Sequence, residues 1–315
     1  MPSSPVVVGV GNALVDHTFH LTNLPEPDGG AYVMNRERGF GGVETNVVTN
    51  LAGLDIETGL IARVGTDGDG EAVREHLAGL PVDDSRVRQV AGDETSYTHV
   101  LTDPDGQRVI LGGGDSTLNL RLDADDRTYL EGASVAMSSA YAPRSVLETL
   151  ATSDPLFVFD LAGRFEDLEH RGLTRDALLG LLDDIELFVA NMAAARSLFE
   201  GADATADTLA DRLRSRGVNR AAITRGRDGA VLAGPAGVTT VPAVDVEVVD
   251  TTGAGDAFTA GLIASWLLGE ATMTSAGRFA AAAAAATCRV RGAHAEPPDR
   301  ETVMALLDQA GGAEP

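Results

Sequence analysis

Nine consecutive residues, Asp250-Thr251-Thr252-Gly253-Ala254-Gly255-Asp256-Ala257-Phe258, combine the parts that phosphoryl transfer needs. Two glycines and an alanine let a ligand lie close to the backbone, and amides at a helix start point at an anion. An apolar helical pattern running to about Leu268 places Asp256 in the first turn of that helix. A carboxylate there can take a proton from a hydroxyl that attacks a phosphoryl group held by the amides. Catalysis of that kind rests on positioning and electrostatic stabilisation. Gly-Ala-Gly-Asp alone suits a plain glycine loop equally well; the order of all nine residues favours chemistry.

The surrounding pattern says what must hold this loop. Val246–Val249 is apolar and β-leaning, which predicts a strand entering it. Val6–Val10, Ile56–Val64, Val135–Ser138, Phe157–Asp160, Leu187–Ala190 and Ala221–Thr224 read as further strands. Gly70–Leu80, Arg144–Thr152, Asp176–Leu182, Met192–Phe199 and Ala204–Ser215 read as helices. Such alternation predicts an α/β fold, a mostly parallel sheet with helices on both faces. Two excursions, at about 13–43 and 93–116, read as β. The second contains Asp103-Pro104-Asp105-Gly106, a strong hairpin turn. They predict a small β-sheet lid on a single domain spanning 1–315.

Composition narrows the chemistry. All 24 basic residues are arginine, against 47 Asp plus Glu, for a net charge of −23. Without lysine there is no P-loop, no Schiff-base enzyme and no protein-kinase strand lysine. The acidic balance argues against nucleic acid or an anionic membrane as partner. It suits a salt-rich cytoplasm, where ionic strength screens self-repulsion, and so a halophilic source. The single cysteine, Cys288, excludes an intramolecular disulfide. No run approaches a membrane-spanning length, so a cytoplasmic location is expected. Gly9-Val10-Gly11 lacks the third glycine of a dinucleotide fingerprint, since Leu14 stands there. His17 and His20 have no further metal ligand in view.

The 250–258 segment resembles the second signature of the PfkB-type, ribokinase-like carbohydrate kinases. Gly41-Gly42-Val43-Glu44-Thr45-Asn46 and Val64-Gly65-Thr66-Asp67-Gly68-Asp69-Gly70 resemble their first signature region, in matching order over nearly the whole chain. The resemblance implies a ribokinase-like three-layer sandwich with a β lid, and transfer of the ATP γ-phosphoryl group to a sugar-like alcohol. It implies Asp256 as base and the Gly253, Ala254 and Gly255 amides as anion hole. Asp16, Asn12, Gly41, Gly42 and Asn46 would bind the acceptor, since an Asp accepts hydrogen bonds from vicinal hydroxyls and paired glycines admit a sugar against backbone. Asn191, Thr224, Gly226 and Gly229 would bind the nucleotide with its Mg²⁺. Asp250 and Thr252, closed by Arg291-Gly292-Ala293, would form a loop for a monovalent cation such as K⁺. A homodimer through the lid is also implied.

Two positions depart from the family. Ala194 stands where a Glu usually acts through water on Mg²⁺ and phosphate, and Ser138-Ser139-Ala140-Tyr141 stands where ribose-using relatives carry Glu. Ribose itself is thereby in doubt. The acceptor stays open among sugars, sugar acids and nucleosides; for a sugar acid, Arg36, Arg38 and Arg108 are candidate cations. A non-catalytic ligand-binding protein of the same fold is the rival reading.

Overall fold

The structure, a computed structural model, describes residues 5–168, 171–199, 203–290 and 297–311. Its strands are β1 (Val7–Gly11), β2 (Leu14–Leu21), β3 (Val33–Gly41), β4 (Thr58–Gly65), β5 (Val82–Val90), β6 (Tyr97–Thr102) and β7 (Arg108–Gly113). They continue with β8 (Val135–Ser139), β9 (Leu156–Asp160), β10 (Leu187–Asn191), β11 (Arg220–Thr224), β12 (Ala230–Gly234) and β13 (Gly237–Val241). The helices are α1 (Val43–Gly53), α2 (Gly68–Ala78), α3 (Ala124–Glu131), α4 (Arg144–Ala151), α5 (Phe165–Leu168) and α6 (Arg175–Leu179). The rest are α7 (Met192–Leu198), α8 (Ala206–Ser215), α9 (Ala254–Leu262), α10 (Met273–Cys288) and α11 (Arg300–Gly311).

Nine strands form one sheet in the order β13-β12-β11-β10-β9-β8-β1-β4-β5. It is parallel from β11 to β5; β12 runs antiparallel to both its neighbours. Alternation within each strand builds a core on both faces. Phe157 and Phe159 of β9, with Phe188 of β10, pack under α4, α7 and α8. Val158, Leu187 and Val189 point to the other face, against α1, α9 and α10. The alanine run of α10 lets it approach α9 closely: a Cβ on Gly261 would lie 2.6 Å from Ala280 Cα. Alanine and glycine are there because nothing larger fits.

A second sheet, in the order β3-β2-β6-β7, is the lid formed by the two excursions. β2 pairs β3 antiparallel and β6 parallel, which places Asp16 beside Gly39 and Thr98 on one face. His17 neighbours Arg38 and His99 on the opposite face. The turn after β6 is closed by Asp103, whose Oδ1 accepts from the amides of Asp105 and Gln107. Asp67 anchors the second entry to the lid. Its carboxylate accepts from Thr95 N, Thr95 Oγ1 and Gly70 N, at 2.8, 2.6 and 2.8 Å. The 64–70 motif is therefore structural: it caps α2 and joins it to the lid.

One expectation fails. Val246–Val249 is not a strand; residues 242–248 carry no regular structure. The stretch lies exposed at Val248 and Val249, and the amides of Val249 and Asp250 donate to the Cys288 carbonyl at the end of α10, at 2.8 and 3.3 Å. β13 ends the sheet, and the stretch bonds to the end of α10 and not to that edge. The loop reaches α9 along a helix end instead. Among the described residues, no helix is long and apolar enough to cross a membrane.

Candidate active site

The carboxyl ends of the parallel strands share one edge of the sheet, where α/β folds bind ligands. Gly253 starts α9 there with φ of 77°, a left-handed conformation suited to glycine. The first-turn amides of a helix have no intrahelical acceptor. Ala254 N turns onto the Thr251 carbonyl at 3.3 Å, so it is partly engaged in closing the loop. The exposed Gly255 presents open backbone: a Cβ there would meet nothing within 4 Å.

Asp256 follows in the first turn and faces a wall of acids. Burial pushes its pKa well above the usual carboxylate range, and the charges of Asp160, Glu44 and Asp16 push the same way. The hydrogen bond from Asn46 Nδ2 to Asp256 Oδ2, 2.6 Å, opposes them. Asn46 lies on α1, so one side chain joins the two glycine-led helix starts, 210 residues apart in sequence. Both are held to the sheet. Thr259 Oγ1 of α9 donates to Asp160 Oδ2 at the end of β9, 3.1 Å.

The residues expected to hold an acceptor gather around α1. Gly42 begins it with φ of 117°, and a Cβ there would overlap the Asn12 carbonyl. Thr45 Oγ1 donates to that same carbonyl at 2.7 Å, and Asn12 N donates to Glu44 Oε2 at 2.9 Å. A Cβ on Gly41 would overlap the Asp16 carboxylate, which also accepts from Thr98 Oγ1. Burial raises the Asp16 pKa, against the lowering effect of Thr98 and His17. The Oδ1 atoms of Asn12 and Asn46 are buried with no hydrogen-bond partner. Buried orphan acceptors are costly, and hydroxyl donors of a ligand would satisfy them.

The residues expected to bind a nucleotide lie further along the edge. Asn191 and Thr224 are paired neighbours at the ends of β10 and β11. Asn191 caps α7, its Oδ1 accepting from Ala194 N at 2.9 Å. Gly226 and Gly229 both take positive φ in the turn to β12, where Gly229 N donates to the Gly226 carbonyl. A Cβ at Gly229 would overlap the Val241 carbonyl, so this glycine also serves packing. Asp250 accepts from Thr252 N and Thr252 Oγ1 at 2.9 and 2.8 Å, an exposed turn within the loop. Arg291-Gly292-Ala293 lies outside the described residues.

Several expected cations are elsewhere. Arg38 pairs with Asp69 at 2.7 Å on the lid face opposite Asp16, and Arg36 shares that face. Arg108 is exposed at the far end of β7. His17 and His20 pair with Asp69 and Glu37 at 3.3 and 3.4 Å. Among the described residues, no group of three or more His, Cys, Asp or Glu could hold a metal ion.

Sequence reasoning missed two acids as site members. Glu44 is fully buried, faces Ser139, and is pushed up in pKa by that burial. Asp160 is raised to about 6, by burial first and by the Glu44 charge, against hydrogen bonds from Ala162 N and Thr259. Ala162 takes a left-handed φ of 57° to make its bond. A Glu inside a helix and an Asp ending a strand are ordinary in sequence; only the fold brings them to Asp256.

Comparison with known proteins fits this geometry. The pfkB family carbohydrate kinase pattern matches residues 5–300. The chain is 30% identical over 306 residues to an ATP-dependent ribose-1-phosphate kinase of Halopiger xanaduensis, covering 96% of this chain and 98% of that one. It is 26% identical over 331 residues to a nucleoside kinase of Methanothermobacter thermautotrophicus, covering 98% and 97%. The crystal structure of a ribokinase from Thermotoga maritima superposes with a TM-score of 0.83 at 21% identity, covering 96% and 99%. The sandwich and small sheet are thus the ribokinase-like fold. Matched over nearly its whole length, the chain belongs to the pfkB family of carbohydrate kinases.

Proposed function

We propose that the protein transfers the γ-phosphoryl group of ATP to a hydroxyl of a sugar or sugar-like molecule, with Asp256 as general base. The observation that carries this reading is the Asn46–Asp256 hydrogen bond of 2.6 Å, which holds the carboxylate beside the first-turn amides of α9. In the reaction, the Asp256 carboxylate takes the hydroxyl proton as the acceptor oxygen bonds to the γ-phosphorus. The bond from that phosphorus to the β–γ bridging oxygen breaks, and its electron pair leaves with ADP. The Gly253, Ala254 and Gly255 amides would hold the transferring charge.

Asn12, Asp16, Gly41, Gly42 and Asn46 would hold the acceptor, the two orphan amide oxygens taking its hydroxyls. The lid carrying Asp16 would exclude water. The whole chain would act as one catalytic domain. Asn191, Thr224, Gly226 and Gly229 would line the nucleotide. Mg²⁺ would neutralise the phosphate oxygens; with Ala194 in place of a carboxylate, it would be held by ATP and water. K⁺ at Asp250 and Thr252 is supported by their hard oxygen donors.

The relatives' names extend the acceptor class to phosphorylated ribose and nucleosides. The test is ADP release with ATP and Mg²⁺ in molar KCl across ribose, fructose, ribose 1-phosphate, 2-keto-3-deoxygluconate and nucleosides. Turnover on one class, lost in Asp256→Asn, is expected. ATP binding with no turnover on any acceptor favours the non-catalytic reading.

A further inference from the structure

Arg171 is a half-buried cation beside the end of β8. Its guanidinium lies 5.6 Å over the Tyr141 ring, and its Nε is buried with no hydrogen-bond partner. The chain has 47 acidic residues, yet among the described residues none lies within ion-pair distance of Arg171. Where Arg63, Arg86 and Arg220 are similarly sheltered, each has a carboxylate.

Position relates this unpaired charge to the site. Tyr141 follows Ser139 at the end of β8, and Ser139 faces Glu44. The Arg171 charge acts on Glu44 and Tyr141, and Tyr141 in turn responds to Asp160 and Glu44. Arg171 thus lies near Glu44, one of the acids that act on Asp256. Burial lowers its pKa from the usual arginine value, against the raising charges of Tyr141 and Glu44.

A buried guanidinium without an anion is unfavourable, and its fork matches a phosphate monoester or a carboxylate. The carboxyls of Asp160, Glu44 and Asp16 crowd Asp256, which disfavours an anion beside that residue. We propose that Arg171, held against Tyr141, binds an anionic group of the acceptor, so that the true acceptor is a sugar phosphate or sugar acid oriented with its anion away from Asp256. This rests on the phosphotransfer reading above for the acceptor's role, but binding tests it without turnover.

The experiment is calorimetric titration of ribose, ribose 1-phosphate and 2-keto-3-deoxygluconate into wild type, Arg171→Gln and Arg171→Lys, followed by ADP-release kinetics. One anionic sugar is expected to bind at least about 30-fold more tightly than ribose, and Arg171→Gln to remove most of that preference. The kinetic loss should fall on KM for the anionic acceptor, with the KM for ATP within about twofold and partial rescue in Arg171→Lys. The phosphate and carboxylate arms identify which anion is taken. Equal binding of ribose and both anions, or an equal loss on all three in Arg171→Gln, overturns the proposal. Selective binding without ADP release from any acceptor would leave the Arg171 site standing and fail the kinase reading.

Discussion

Replacing Asn46 by alanine removes the one hydrogen bond that lowers the Asp256 pKa. Its Nδ2 lies 2.6 Å from Asp256 Oδ2, against the raising effects of burial and three neighbouring carboxylates. A hydrogen bond to a charged group is worth about 1.5–3 kcal/mol. Its loss moves the pKa further up and, at a pH below it, leaves roughly 10- to 100-fold less of the carboxylate ionised. Asp256 must be ionised to accept a proton, so activity falls as pH falls through the raised pKa. The acid limb of kcat/KM against pH should therefore move upward in Asn46→Ala, with the rate at a pH on that limb lower by roughly 10- to 100-fold. On the proposed function Asn46 also holds the acceptor, so the height of the profile will drop as well; the position of the limb is what reports the base. A lowered profile with an unmoved acid limb would refute the idea that Asn46 sets the protonation of Asp256.

Other outcomes follow from the same contacts. Asp160→Asn should move that limb the opposite way, because it removes a charge that raises Asp256. It should also stabilise the protein at pH 7. A folded pKa of about 6 against 3.8 means Asp160 favours folding at low pH, and the benefit disappears as pH rises from 4 through 6, a cost of about 3 kcal/mol once ionised. Urea unfolding at pH 4 and pH 7 reads the stability claim; no gain at pH 7 relative to pH 4 would count against it. Gly42→Ala should cost at least about 1–3 kcal/mol from its positive φ and disturb Asn12, seen as a lower unfolding midpoint with a raised acceptor KM. With a net charge of −23, the unfolding temperature should rise steadily from 0.1 to 2 M KCl as repulsion is screened, and a flat response would argue against charge as the reason for that composition.

What could be read in the sequence was whatever is local. Gly253 to Asp256 announces itself because turn, amides and acid are contiguous. The lid was legible from the Asp103–Gly106 turn and the interruptions it marks. The parallel sheet followed from apolar runs alternating with helical spacing. Val246–Val249 misled because its valines read as strand, while strand formation depends on tertiary pairing, and here the backbone pairs with the end of α10. Glu44, Asp160, Tyr141 and Arg171 were invisible as a group for the opposite reason. Each is unremarkable among its neighbours, and they meet only because β1, β8 and β9 are adjacent and parallel. Arg36 and Arg38 looked equally suitable as cations, but strand alternation turns them to the wrong face of the lid.

The central claim is that Asp256 removes the acceptor proton. Its most direct test is ADP release by Asp256→Asn beside wild type, on whichever acceptor wild type uses, with ATP affinity and the unfolding midpoint measured on both. The account predicts a kcat lower by about 10²- to 10⁴-fold, with ATP affinity and folding retained. A variant that turns over at the wild-type rate would contradict it.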